Sequence, residues 1–391
     1  MDAFKNKIQD AVDGLKGDIV HISRKIHSRP ELLHEEHFAK ELLCAFLSGN
    51  GFSVSDNPGG LSTAFVAEAG KTTRGPVTAF IAEYDALPKI GHACGHNMIA
   101  AMSSAAGVAL LRAGLGKKGK IVVVGTPAEE GGGGKITLLE NGIFEKIDVA
   151  MMAHPSNKNR IISRMLALVE MNITFYGKSA HAAGSPESGV NALDGVILTF
   201  NNINALRQQT RDDARIHGVI TEGGVAPNII PNLAKARFFI RAADLDYFKV
   251  LVEKVKKCVK GAAQATGCRV KIQLGSMVYH PMRANQTLAA VYKKYLHEAG
   301  MDDQLASEQE GIGSSDVGNL SQVLPTIHPE FAIGPENVVN HSSEFAKQAV
   351  SEFAHNRAVK ITQVLALTGA EVLLSAKLLK AIKKEFREKI Q

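Results

Sequence analysis

The chain has 391 residues, 45% hydrophobic and 21% charged, with a net charge of +6 at neutral pH. That length suits two domains and that composition can bury full cores, which excludes intrinsic disorder. Four cysteines, Cys44, Cys94, Cys258 and Cys268, are too sparse for a secreted disulfide framework.

The chain begins MDAFKNKIQDAVDGLKGD, a charged segment without the apolar stretch of a signal peptide. No run reaches the roughly 18 uncharged apolar residues of a membrane span, so the expectation is a cytoplasmic protein with no membrane partner. From Met1 to about Leu47 apolar residues recur at helical spacing, broken by Pro30 and ended by Gly49 to Gly51. The run Val77 to Ala82 is apolar nearly throughout, as a strand buried on both faces requires. A small-residue helix, Met98 to Ala113, is followed by strand Ile121 to Val124, a glycine-rich turn, a helix and strand Asp148 to Ala153. This alternation predicts an α/β domain with a mostly parallel sheet.

Near Leu168 the pattern changes. Strand Val169 to Tyr176, helix Gly189 to Leu206, strands His217 to Thr221 and Lys235 to Arg241, helix Leu245 to Thr266 and strand Arg269 to Met277 follow in order. That βαββαβ order predicts a ferredoxin-like α+β domain over 168–283, inserted into a catalytic domain made of 1–167 and 284–391. After it come helix Thr287 to Ala299, strand Phe331 to Ile333 and two long helices. The densest basic run, KLLKAIKKEFREKIQ at 377–391, reads as a solvated helix end, with a nucleic-acid or membrane surface as the alternative.

Four segments carry candidate chemistry. In AEYDALPKIGHACGHN, Ala82 to Asn97, a buried strand runs into a Gly-punctuated loop with His92, Cys94 and His96 at alternate positions. In an extended segment such positions share a face, so Cys94 and His96 can reach one ion; half of a structural zinc site is the competing reading. In GTPAEEGGGG, Gly125 to Gly134, a strand ends in Glu129 and Glu130. One of two such carboxylates can bind metal while the other takes a proton from an activated water, and the glycines allow close approach of backbone and substrate. His154 ends the strand Asp148 to Ala153, and His341 lies in GPENVVNHSSEF where a loop enters a helix. Both belong to the loop-bearing edge where α/β sheets hold their sites. The GSSDVGN loop either supports the site through Ser314 and Asp316 or merely turns the chain.

The ordered set EYDALP, HACGH, TPAEEGG, AHP, GKSAHA, PNIIP, SSDVGN and a late His resembles the dinuclear-metal family of aminoacylases and carboxypeptidases. The Cys of HACGH is similar to its amidohydrolase branch, which holds hippurate hydrolase, indole-acetyl-amino-acid hydrolase and p-aminobenzoyl-glutamate hydrolase. The resemblance implies a hydrolase of N-acyl amino acids or dipeptides. It also implies two divalent ions, Zn2+ or Mn2+, and a homodimer formed through the inserted lid domain. It implies Cys94, His96, Glu130, His154 and His341 as metal ligands and Glu129 as general base. His181 would polarise the scissile carbonyl from the partner subunit, Asn228 and Arg241 would hold the substrate, and Asp85 would orient a ligand histidine. One departure stands out: the family's usual H-x-D reads Glu83-Tyr84-Asp85 here. A silent scaffold on this fold, a closed structural zinc site and an aminopeptidase are the alternatives.

Overall fold

The computed structural model describes residues 1–70, 75–304 and 313–388, so the last three residues of the basic C-terminal run lie outside the described residues. Two compact units emerge: Met1–Ser163 together with Met282–Gln391, and Arg164–Pro281.

The first unit opens with α1 (Asp2–Asp13), α2 (Lys16–Ser28) and α3 (His37–Gly49), then β1 (Ser53–Asp56), β2 (Phe65–Ala69) and β3 (Val77–Glu83). It continues with α4 (His96–Arg112), β4 (Lys120–Thr126), α5 (Gly134–Glu140), β5 (Val149–Met151) and β6 (His154–Ser156). The second unit holds β7 (Ala167–Tyr176), α6 (Ala192–Leu206), β8 (Arg215–Glu222), β9 (Leu233–Ala242), α7 (Leu245–Thr266) and β10 (Arg269–Tyr279). Returning to the first unit, the chain forms α8 (Gln286–Glu298), α9 (Val317–Val323), β11 (Thr326–Ile327) and β12 (Glu330–Ala332). It closes with α10 (Ser343–Gln348), α11 (Glu352–Leu374) and α12 (Ala376–Glu388). No described helix is long and apolar enough to cross a membrane.

The main sheet has the order β1-β2-β4-β3-β5-β11. β4, β3, β5 and β11 run parallel, while β2 and β1 add an antiparallel edge. β3 and β4 are buried on both faces, as their unbroken apolar runs demand. Against them packs α4, buried from His96 to Leu110. Its small residues let it lie close to the sheet: a Cβ on Gly107 would sit 2.8 Å from Val123. α11, almost as buried, packs on α4 and α8.

In the second unit, four antiparallel strands run in the order β10-β7-β9-β8, the ferredoxin-like arrangement. β7 alternates strictly, placing Ala167, Val169, Met171, Ile173 and Phe175 in the core under α6 and α7. α7 begins at Asp244, whose side chain accepts the Tyr247 N–H, and stops at Gly267 in the left-handed conformation (φ 70°).

Two readings need correction. The helical run before Pro30 is not continuous but divides at Gly14, between α1 and α2. The expected strand Asp148 to Ala153 is only Val149–Met151, and His154 does not end it. His154 instead opens β6, which leaves the main sheet and pairs in parallel with β12, His154 opposite Glu330. The physical reason is the long-range partner, which competes for the backbone where the local apolar pattern runs on unbroken.

Candidate metal centre

Cys94 and His96 converge by a turn, not by strand alternation. Gly95 takes a left-handed conformation (φ 78°) as N-cap of α4, and a Cβ there would lie 2.8 Å from Pro155. His92 is turned away, its ring centroid 5.9 Å from that of His27, and burial pushes its pKa down to about 3. The backbone N–H of His341 donates to the Ala93 carbonyl at 2.9 Å, which pins the late histidine to the cysteine loop.

The result is a cluster drawn from distant segments. Cys94 Sγ lies 3.6 Å from His154 Nε2 and 3.6 Å from His341 Nε2. Glu130 Oε1 lies 3.6 Å from His341 Nε2 and 4.0 Å from His96 Nε2. Among the described residues, three overlapping groups could each hold a metal ion, their donor atoms within 4.8 Å of one another: Cys94, His96 and His154; Cys94, Glu130 and His341; His96, Glu129 and Glu130. His96 Nε2 and Glu130 Oε1 are buried without a hydrogen-bond partner, so polar atoms in the cluster's interior await a ligand. Sulfur, imidazole and carboxylate donors with orphaned lone pairs fit a divalent transition metal.

Supporting groups fix the donor atoms. His96 donates from Nδ1 to Asp85 Oδ1 at 2.9 Å, which leaves Nε2 facing the cluster. The other Asp85 oxygen accepts the Glu130 N–H at 2.9 Å, so one carboxylate orients two candidate ligands. His154 donates from Nδ1 to the Pro155 carbonyl at 2.7 Å, which likewise turns Nε2 to Cys94. Three contributors escaped the sequence reading. Asn340 donates to the Pro155 carbonyl at 3.2 Å and reaches Cys94 Sγ at 3.9 Å. Glu36, fully buried, accepts the Ala128 N–H at 2.9 Å and steadies a left-handed residue (Ala128, φ 57°) just before Glu129. Lys135 is the third. A buried Glu among the N-terminal helices and a lysine directly after the glycine run were the available signals.

The adjacent carboxylates are driven apart. Burial, then the negative charges of Glu130, Glu83 and Asp316, raise the Glu129 pKa well above its ordinary value. Burial opposes ionisation of Glu130 too, yet His341 and His96 hold it down at about 2. Such a split is how neighbouring acids come to differ in role. Burial and the charge of Glu130 push the Cys94 thiol up, so a metal taking it as thiolate must displace its proton.

His181, Asn228 and Arg241 belong to the second unit. There the structure brings His181 and Asn228 together: Ala182 N–H donates to the Asn228 carbonyl at 3.0 Å. His181 is exposed, and its Nδ1 accepts the N–H groups of Ala183 and Gly184 at 3.2 and 3.0 Å, which leaves the ring proton on Nε2. Arg241 stands on β9 between Leu168 and Arg215 in the strand register, with its guanidinium 5.9 Å from the Phe239 ring centre.

Comparison with known proteins agrees with this architecture. Residues 167–266 match the peptidase dimerisation domain. The chain is 39% identical over 408 residues to an Xaa-Arg dipeptidase of Mus musculus, covering 100% of this chain and 94% of that protein. It is 32% identical over 313 residues to a p-aminobenzoyl-glutamate hydrolase chain of Escherichia coli (strain K12), covering 74% of this chain and 64% of that one. Among solved structures, a dinuclear metal binding peptidase from Bacillus subtilis superposes with a TM-score of 0.69 at 18% identity, over 91% of this chain and 98% of that one. At that identity the likeness is one of fold.

Proposed function

Because the chain belongs to the M20 peptidase family, and is on that ground a metal-dependent hydrolase of amide or peptide bonds, we propose that Cys94, His96, His154, Glu130 and His341 hold a pair of divalent ions and that its substrates are dipeptides or N-acyl amino acids. Dipeptides with a basic C-terminal residue come first, on the strength of the 39% identical Xaa-Arg dipeptidase. The observation that carries the reading is the convergence of those side chains around the orphaned His96 Nε2 and Glu130 Oε1. Their thiolate favours Zn2+, while their imidazole and carboxylate groups also suit Mn2+.

Held by these residues, the ions would supply Lewis acidity to the scissile carbonyl and to a water. The Glu129 carboxylate would take a proton from the attacking water and pass it to the leaving nitrogen as the C–N bond breaks. His181 donates from Nε2 toward the carbonyl oxygen. Arg241 and Asn228 hold the substrate's free carboxylate. The dimerisation-domain match over 167–266 supports a homodimer, as does the edge strand β8, where Val219 and Ile220 are exposed. Four cysteines without disulfides support a reducing, cytoplasmic compartment.

The test uses metal-stripped protein, reconstituted with Zn2+ or Mn2+, on dipeptides ending in Arg, Lys, Leu or Glu, their C-terminal amides, and N-benzoyl amino acids. Activity is expected only with metal, with the basic dipeptides fastest. Amidation should cost about 10- to 150-fold, the worth of a charge-assisted carboxylate contact. Full turnover by protein shown to be metal-free overturns the reading, and equal rates on acid and amide assign an aminopeptidase instead.

Asp85 gives a second, independent check. Asp85→Ala removes the carboxylate that accepts from His96 Nδ1 and from the Glu130 N–H, and leaves His96 Nδ1 only the Asp85 backbone carbonyl at 3.1 Å. Metal affinity measured by competitive dialysis should fall about 10- to 100-fold, the usual loss for a partner that orients a ligand. An unchanged affinity would strip Asp85 of that role.

A further inference from the structure

Beside the ligand cluster lies a set of buried charges that the chemistry above leaves unused. Lys135 stands at the start of α5, directly after the glycine run, and its side chain is fully buried between two carboxylates. Its Nζ lies 2.5 Å from Glu83 Oε1 and 2.6 Å from Asp316 Oδ1, and neither acidic side chain is exposed. Asp316 is gripped twice, because the Lys135 backbone N–H donates to its other oxygen at 2.9 Å. Glu83 ends β3, and its second oxygen lies 3.6 Å from His96 Nε2, the atom turned toward the cluster. Two carboxylates and one ammonium leave this group a net negative charge in a region that also holds Glu129 and Glu130. Buried charges persist only when paired, and unpaired carboxylates beside a soft-donor cluster are ready ligands for a cation.

We propose that the Lys135 ammonium is an internal cation that holds Glu83 and Asp316 out of the metal ligand set. The centre then offers an ion the donors of Cys94, His96, His154, Glu130 and His341, with Glu129 as the further carboxylate within the donor groups. Lys135 is thus a positioning residue: it acts by holding one oxygen of each carboxylate. Glu83 Oε2 is buried without a hydrogen-bond partner 3.6 Å from His96 Nε2, yet with Oε1 held at the ammonium Glu83 joins none of the three donor groups. Without the ammonium, Glu83 and Asp316 would face each other with no counter-charge. An oxygen-preferring divalent ion is the natural replacement, because carboxylates suit Mn2+ better than they suit a softer metal. The proposal rests on the metal-centre reading.

The test is metal stoichiometry, read by equilibrium dialysis against Mn2+ and elemental analysis of the full-length protein. Lys135→Met is expected to take up one more Mn2+ per chain than the parent. Its melting temperature should also rise more on adding Mn2+ than the parent's does. The triple variant Lys135→Met, Glu83→Gln, Asp316→Asn removes cation and anions together and is expected to return to the parental stoichiometry. A Lys135→Met chain that gains no ion, whether it stays folded or collapses even in saturating Mn2+, overturns the proposal. So does an extra ion that persists in the triple variant. A parent protein that binds no metal at all would instead sink the metal-centre reading, so the two failures are distinguishable.

Discussion

Glu129→Gln should keep its full complement of metal and lose on the order of 10²–10⁴ in kcat, whereas Glu130→Gln should lose the metal itself. The two side chains are neighbours, yet the structure treats them differently. Glu130 points an unpartnered oxygen at His341 and His96, and those histidines keep it ionised. Glu129 is set among Glu130, Glu83 and Asp316, whose charges favour its holding a proton. A high proton affinity suits a group that must take a proton and hand it on, and the positive charge of bound ions would return Glu129 to the carboxylate form a base requires. An ionised Glu130, by contrast, is what a cation needs. Elemental analysis with single-turnover rates separates the two. Because Glu129 also falls within reach of His96 and Glu130, equal metal loss in both variants would move it into the ligand set and leave the base unassigned.

Homodimers of His181→Ala and of Glu129→Ala should each be nearly inactive, and a dissociated and reassociated mixture should recover about a quarter of the parental activity. Random pairing makes half the dimers mixed, and each mixed dimer holds one site with both groups intact if His181 serves the partner subunit. The ring is already set to donate, because two backbone N–H groups engage Nδ1 and leave the proton on the exposed side of the imidazole. The expectation depends on the second unit forming the dimer, which the 167–266 match supports. Mixed dimers that form yet stay dead would place His181 in its own subunit's reaction or in none.

Where local physics decides the structure, the sequence was a good guide. α7 runs from Leu245 to Thr266 as its apolar spacing and its Asp244 and Gly267 ends require. The βαββαβ order of the second unit follows from alternating strands such as β7. Cys94, His96, Glu130, His154 and His341 lie in overlapping groups of candidate donors, with Glu129 in one of them. What failed was the local geometry assigned to them. Gly95 turns where an extended segment was expected, and His154 leaves the main sheet because Glu330 to Ala332 supply it with a different partner. Lys135 shows the deeper limit. A lysine at a helix start looks like a solvated charge, and only the fold reveals that Glu83 and Asp316 close around it. Glu83 could be seen to replace a histidine, but its job depends on a residue no motif connects to it.

The division of the first unit into two stretches of chain has a consequence for how the protein is made. Residues 164–281 are contiguous, and a chain emerging from the ribosome can complete that unit as soon as β10 is out. The host unit has no such liberty. Until 282–374 have been translated, its sheet lacks β11, α4 lacks the cover of α11, and the ligand cluster lacks His341. The insert can therefore fold ahead of the domain that brackets it, while a largely apolar helix waits for its cover. An ion meeting the half-made chain finds Cys94, His96, Glu130 and His154 without the backbone pin that His341 puts on the cysteine loop. Synthesis order leaves the candidate donor cluster incomplete until the segment carrying His341 has been made.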